Sequence, residues 1–224
     1  SGAQVEWQSS DRTRLEAVER FTLQGDEASG RAAAQETLAA LKRSETPQAA
    51  LELLVDLGWW SPHENLFLRR SSIPVHFSTK VLEVAHQRTE VSPPDPDSER
   101  VDLTHLKVYT IDDESTKEID DGLSCESLPD GQQRLWVHIA DPTRWLIPGD
   151  ELDLEARRRS TTLYLPTGMI PMFPTELATG PMSLVQGKIC NALSFGIALD
   201  ESGAVSSYNI RASIIKPTYR LTYE

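Results

Sequence analysis

The chain has 224 residues, with 39% apolar and 25% charged side chains, a balance that allows an ordinary buried core. No apolar run approaches the ~18 to 20 residues that a membrane-crossing helix needs, so the chain reads as soluble. The net charge of −12 excludes a generally basic nucleic-acid-binding surface: residues 1–90 carry 10 basic and 13 acidic side chains, residues 91–104 carry 1 and 4, and residues 105–224 carry 11 and 17.

The opening residues, Ser1-Gly2-Ala3-Gln4, include no initiator Met and none of the basic or apolar stretches of a signal peptide; they read as a processed or engineered start. Residues 11–57 read as helical. Leu15, Val18, Phe21 and Leu23 recur at roughly helical spacing, and Ala33 to Leu41 is rich in strong helix formers. The third helix is the best marked. Thr46 is a candidate N-cap, Pro47 suits the first helical position and Gly58 suits the stop. Between them Ala50, Leu51, Leu54, Val55 and Leu57 form an apolar face, and Trp59-Trp60 reads as core filling. A further helix is expected from Ser78 to Gln87. Three short helices and a bend fit a helix-turn-helix or winged-helix unit. No charge marks a recognition helix in residues 46–75, and a plain helical packing domain is the preferred reading.

Residues 91–104, VSPPDPDSERVDLT, form a Pro- and Asp-rich connector, because Pro93, Pro94 and Pro96 disfavour helix and central strand. The expected division is a helical domain over 1–90, this linker, and a further domain over 105–224. In the last part strands take over. Leu106 to Ile111 is β-rich, and the stretches Gly122 to Ser127 and Leu135 to Ala140 suggest a hairpin around Pro129-Asp130-Gly131. A helix is predicted from Asp150 to Arg159. Strands follow at Asn191 to Leu199 and Val205 to Ile215, joined by a turn through Asp200 to Gly203. The fold class is therefore α+β. Cys125 and Cys190 belong to no ligand motif, so two buried reduced thiols are preferred over a disulfide and a zinc site has little support.

The stretch from Ile111 to Gly122 carries Asp112, Asp113, Glu114, Glu118, Asp120 and Asp121 between two expected strands. Like charges at this density repel unless a cation sits among them. Asp112 closes one strand while Asp120 and Asp121 open the next, so the loop folds back and brings its ends together. Carboxylate oxygens are hard ligands, suited to magnesium or manganese. Such a cluster can hold ions that activate water and stabilise charge on a phosphate. From composition alone a solvated acidic loop is the commoner outcome. A calcium loop fails, because the sixth and twelfth places counted from Asp112 hold Lys117 and Leu123 where Gly and Glu are required.

The cluster is followed by further motifs in a recognisable order. Thr110-Ile111-Asp112-Asp113 and Glu118-Ile119-Asp120-Asp121 precede Val137-His138-Ile139-Ala140-Asp141, then Pro148-Gly149, then Ala156 to Arg159. The segment from Tyr164 to Pro174, YLPTGMIPMFP, closes the series. In this order and spacing, over about residues 105–224, the chain resembles the catalytic domain of the RNase II/RNase R family of exoribonucleases. The helical front resembles family branches with a helix-turn-helix-like N-terminus. Asp121-Gly122-Leu123-Ser124 and Pro217-Thr218-Tyr219 are similar to cyanobacterial and plant-organelle members.

The resemblance implies a winged-helix-like helical domain followed by the first part of a mixed α/β ribonuclease domain. It implies hydrolytic 3′→5′ degradation of single-stranded RNA to nucleoside 5′-monophosphates, dependent on magnesium or manganese. Asp112, Glu118, Asp120 and Asp121 would then be the catalytic, metal-binding carboxylates, with Glu118 standing where bacterial members usually have Asp. Tyr164 would stack on a nucleotide near the 3′ end. His138 is expected to be structural. Arg157 to Arg159 are read as either a phosphate contact or a solvated helix end. Family members continue further, through the rest of the catalytic domain and a C-terminal OB-fold, so the chain is expected to be one piece of a longer protein and inactive alone. The implied location is the cytoplasm, or an organelle interior in a plant or alga. The rival readings are a catalytically silent RNA-binding scaffold, and a regulator led by residues 1–90.

Overall fold

A computed structural model describes residues 7–71, 73–97, 99–166 and 168–223, and the chain divides between Ile73 and Pro74 into two compact units. The opening tetrapeptide, Thr167 of the proline-rich motif and Glu224 lie outside the described residues. Among the described residues no helix is long and apolar enough to cross a membrane.

The first unit is built from α1 (Ser9–Gln24), α2 (Arg31–Ala40), α3 (Pro47–Asp56) and the short α4 (Leu66–Arg70). The start of α3 follows its sequence: the Thr46 hydroxyl accepts from the Ala49 amide at 3.2 Å, and Pro47 occupies the first turn. Val18 and Phe21 of α1, Leu38 of α2, Leu54 of α3 and the following Trp60 pack into one apolar core. The tryptophan pair adds a polar contact, since both indole N–H groups donate to Glu19 Oε1 at 2.8 Å. Among the described residues this unit is helical throughout, with no strand.

The second unit begins with α5 (Thr79–Glu90), capped by Ser78, whose hydroxyl accepts from the Val81 amide. From the sequence this helix is expected to belong to the helical front, with the break at 91–104. In the structure the apolar stripe of α5, Val81 and Ala85, packs with Leu152, Leu177 and Met182. Its partners are therefore α6 (Glu151–Arg159) and α7 (Thr175–Ala178). The proline-rich connector is pinned as well. Arg100, whose side chain is only 5% exposed, pairs with Asp95 and Asp141 at 2.8 Å, and Arg144 donates to the Pro93 carbonyl at 2.6 Å.

The strands are β1 (Val101–Asp102), β2 (Val108–Asp112), β3 (Asp121–Ser127), β4 (Gln133–Ala140), β5 (Leu163–Leu165), β6 (Gly168–Ile170), β7 (Cys190–Leu199), β8 (Val205–Ile215) and β9 (Pro217–Thr222). Seven form a mixed sheet in the order β1-β8-β7-β4-β3-β2-β9, while β5 and β6 form a separate hairpin. The pairs β1–β8 and β2–β9 are parallel and the others antiparallel. The turn between β3 and β4 lies at 128–132, as the Pro-Asp-Gly sequence predicts, and Gly131 takes a left-handed φ of 83° there.

One face of the sheet covers the core formed by Val108, Trp136, Ala140, Leu184, Ala192 and Ile215. The same buried face holds Thr110, Ser124, His138, Ser194 and Ser213. The other face presents Tyr109, Leu123, Leu135, Ile139 and Leu193, all exposed. Cys125 is also exposed on this face, which corrects the expectation of two buried thiols; Cys190 is buried, and both are free.

Candidate active site

The acidic segment is placed by the pairing of β2 with β3. Tyr109 pairs with Leu123, and continuing that antiparallel register by three residues sets Asp112 level with Asp120. Gly122 lets these strands approach closely: a Cβ there would stand 3.0 Å from Val108 Cγ1 and 3.3 Å from the Tyr109 carbonyl oxygen. Ile119, only 4% exposed, is the plug between Glu118 and Asp120. Its amide donates to Ser183 Oγ and its carbonyl accepts from the Leu184 amide, both at 2.9 Å. The Asp120 carbonyl accepts from the Ala140 amide at 2.7 Å. The backbone on both sides of the two acids is thus fixed, while the loop beyond is tied by Arg220 of β9, which donates to the Thr116 carbonyl at 2.6 Å.

The carboxylates feel one another. Asp112 is held above the ordinary carboxylate range by burial and then by Asp121, with Arg220 pulling the other way. Burial and Asp120 push Glu118 up, against a hydrogen bond from Thr162. Asp120 is pushed up by the protein crowding it and by Asp112 and Asp121, although it keeps an exposed surface, as does Asp121. Asp112 Oδ2 and Glu118 Oε1 are buried without a hydrogen-bond partner. Asp113 is different: its Oδ1 accepts from the Ser115 amide at 2.8 Å and from the Ser115 hydroxyl, which holds its pKa down and commits it to a turn.

Glu118 and Asp120 line a cleft of ≈ 440 Å³ whose other walls include Ile139, Thr162, Tyr164, Met172 and Phe173. Tyr164 stands on the β5–β6 hairpin with its side chain 70% exposed. Burial, then Glu118, Asp120 and Asp112, raise the pKa of its hydroxyl, so the ring shares the field of the acids. Asp112 and Asp121 stand at the strand ends outside the cleft wall, coupled to it through Asp120. The donors are hard oxygens and two of them lack partners, which fits a hard cation. The acids are gathered without closing on a point, and among the described residues no three His, Cys, Asp or Glu side chains are arranged to hold a metal ion.

Other expected residues fall elsewhere. His138 is fully buried, accepting or donating to Ser124 Oγ at Nε2 and to Ser194 Oγ at Nδ1, and burial drives its pKa to about 4. It stands in the core of the sheet, as expected of a structural residue. The arginine run is no free basic patch: Arg157 pairs with Asp153, Arg158 with Glu155, and Arg159 turns inward to Glu155. Sequence reasoning missed Thr162 and Arg220. Thr162 is signalled by nothing but its nearness to Tyr164, and Arg220 lies on a strand that the sequence reading leaves out.

Residues 100–224, more than half the chain, match the RNB domain, and residues 1–66 match the double HTH domain. The chain is 60% identical, over all 224 residues, to an uncharacterized ribonuclease of Synechocystis, of which it covers 33%. It is 44% identical over 187 residues (84% of its length) to the chloroplastic/mitochondrial ribonuclease II of Arabidopsis thaliana, of which it covers 23%. The solved structure of an active-site mutant of the Dss1 exoribonuclease from Candida glabrata superposes with a TM-score of 0.70 at 22% identity, covering 96% of this chain and 31% of that one, a likeness of fold. The chain spans a third or less of the length of these proteins. The motifs from Thr110 to Pro174 fall within the matched span, and the chain belongs to the RNB-domain ribonuclease family, with a double HTH domain at its front.

Proposed function

We propose that the full-length protein is a hydrolytic 3′→5′ exoribonuclease acting on single-stranded RNA, and that this chain supplies its carboxylate cluster. The observation that carries the reading is the convergence of Glu118 and Asp120 with Tyr164 in one cleft, backed by Asp112 and Asp121, in a chain of the RNB family. Magnesium, or manganese in its place, would be held by Asp112, Glu118, Asp120 and Asp121, and would supply charge stabilisation at the phosphate and a nucleophile near neutral pH.

The chain's own groups account for the remaining steps. The exposed ring of Tyr164 offers a sequence-tolerant stacking surface, worth ~1 to 3 kcal/mol per base. Ile139, Met172 and Phe173 give the cleft apolar walls that exclude water around the terminal nucleotide. The proton that the attacking water sheds is balanced by the one the departing O3′ takes up, by way of solvent, so no carboxylate has to change its charge. The water oxygen bonds to phosphorus, the P–O3′ bond breaks, and the products are a nucleoside 5′-monophosphate and a new 3′-hydroxyl end. The rest of the polypeptide, including an OB-fold, would supply the basic channel that this acidic portion lacks.

Incubation of the full-length protein with 5′-labelled single-stranded RNA and magnesium tests this reading. A ladder shortening from the 3′ end, with nucleoside 5′-monophosphates as products, is expected. Binding of that RNA without turnover under magnesium or manganese would favour a silent scaffold instead.

A further inference from the structure

The last arginine of α6 does not point to solvent. The Arg159 side chain is only 2% exposed, and its donors reach three separate segments. Nε donates to Glu155 Oε1 at 2.8 Å, Nη1 to the Pro171 carbonyl at 3.0 Å, and Nη2 to the His76 carbonyl at 2.9 Å. The guanidinium plane also lies over the Phe77 ring, 3.7 Å from its centroid. Only a rigid planar fork can satisfy three acceptors in these directions, which a lysine cannot do.

The geometry of these contacts bears on the cleft. Ser160, the residue after Arg159, turns the chain with a left-handed φ of 66°, and Ser160, Thr161 and Thr162 then run along the cleft wall into β5. The β5–β6 hairpin carries Tyr164 outward and returns at Ile170, and the chain next passes Pro171 before Met172 and Phe173 rejoin the wall. Both feet of the hairpin are therefore tied to one guanidinium, the first covalently and the second through the Pro171 carbonyl. The feet are joined to each other by the Met172 amide, which donates to Thr162 Oγ1 at 3.0 Å.

We infer that Arg159 is a positioning residue for RNA binding, which sets the hairpin so that Tyr164 stands over Glu118 and Asp120. The inference rests on the proposed role of Tyr164 as a nucleotide-stacking residue. No donor of Arg159 touches the carboxylates of the cluster, so its effect is read on RNA affinity.

The test is binding of a short 5′-labelled single-stranded oligoribonucleotide by the full-length protein in EDTA, where no cleavage intervenes. The proteins compared are wild type, Arg159→Lys, Tyr164→Ala and the double variant. Arg159→Lys is expected to weaken binding about tenfold, and to add nothing further in the Tyr164→Ala background, since both changes remove the same stacked base. A fold defect alone lowers the active fraction without changing the dissociation constant of what remains. If Arg159→Lys does not fold, Phe77→Leu, which removes only the ring beneath the guanidinium, is expected to weaken binding in the same direction by a smaller factor. Unchanged affinity in the folded variant, or a loss fully additive with Tyr164→Ala, overturns the inference. If wild type binds the oligonucleotide but never cleaves it when magnesium is restored, the nuclease reading fails while the role of Arg159 still stands or falls on the affinities.

Discussion

Nδ1 of His138 lies 2.7 Å from Oγ of Ser194 inside the sheet, and Ser194 Oγ lies 2.6 Å from Oγ of Ser213. With Ser124 on Nε2, the chain of polar contacts crosses β3, β4, β7 and β8 with every member buried. Burial without a carboxylate partner keeps the imidazole neutral. The unfolded chain binds a proton below about pH 6.5, whereas the folded chain resists until about pH 4. Stability from this group is therefore complete above pH 6.5 and falls as the pH drops to 4, by about 3 kcal/mol in all. Unfolding of wild type and His138→Asn by urea across that range isolates the effect. The difference between the two curves should have this slope, and parallel curves contradict it.

The acids slope the other way. Asp112, Glu118 and Asp120 have folded-state pKa values raised above the unfolded ones. The stability they contribute is present below the unfolded carboxylate range and lost as the pH rises through the raised values, so at neutral pH the cluster costs stability. In EDTA, Asp112→Asn and Asp120→Asn should melt above wild type at pH 7. Added magnesium should raise the melting temperature of wild type more than that of either variant, because only ligand that binds the folded state stabilises it. A wild type that melts highest in EDTA counts against the repulsive cluster.

Arg220 ties the acidic loop to β9 across 104 residues of sequence, through the Thr116 carbonyl. Arg220→Ala should lower stability by about 1 kcal/mol, the net value of a hydrogen bond of this kind. It should also speed hydrogen exchange of the Thr116 amide, which donates to the Asp113 carbonyl within that loop. Exchange unchanged from wild type would show that the loop holds its shape without the arginine.

Gly122 is the other local device. A methyl there meets Val108 Cγ1 at 3.0 Å and Thr110 Cγ2 at 3.3 Å, both on β2. Gly122→Ala should destabilise the second unit by about 1 to 3 kcal/mol through overpacking, measured by urea unfolding. Because the strain falls between the strands that carry Asp112 and Asp121, RNA cleavage by the full-length variant should fall further than stability alone explains.

What the sequence makes legible is what is local. Thr46 and Pro47 start α3, Asp150 caps α6 and the Pro129-Asp130-Gly131 turn closes the β3–β4 hairpin, each through contacts within a few residues. The carboxylate cluster is legible for the same reason, since Asp112 and Asp120 flank one short loop. The less legible features depend on distant partners. β9 begins at Pro217, which reads as a break, and its pairing partner β2 lies about a hundred residues earlier. The apolar stripe of α5 is visible in sequence, but nothing there says that its partners are Leu152 and Leu177, so the domain break falls earlier than the prolines suggest. Arg159 looks like one of three exposed arginines, and only the tertiary structure separates it from Arg157 and Arg158.

The most direct test of the carboxylate assignment is single-turnover cleavage of single-stranded RNA by full-length wild type and Asp120→Asn in magnesium, with RNA affinity measured in parallel. The variant should bind RNA at least as tightly as wild type, since a negative charge facing phosphate is gone, while cleavage drops by about a thousandfold or more. Cleavage within a few fold of wild type, at equal affinity, would contradict the assignment of the active site to Asp112, Glu118, Asp120 and Asp121.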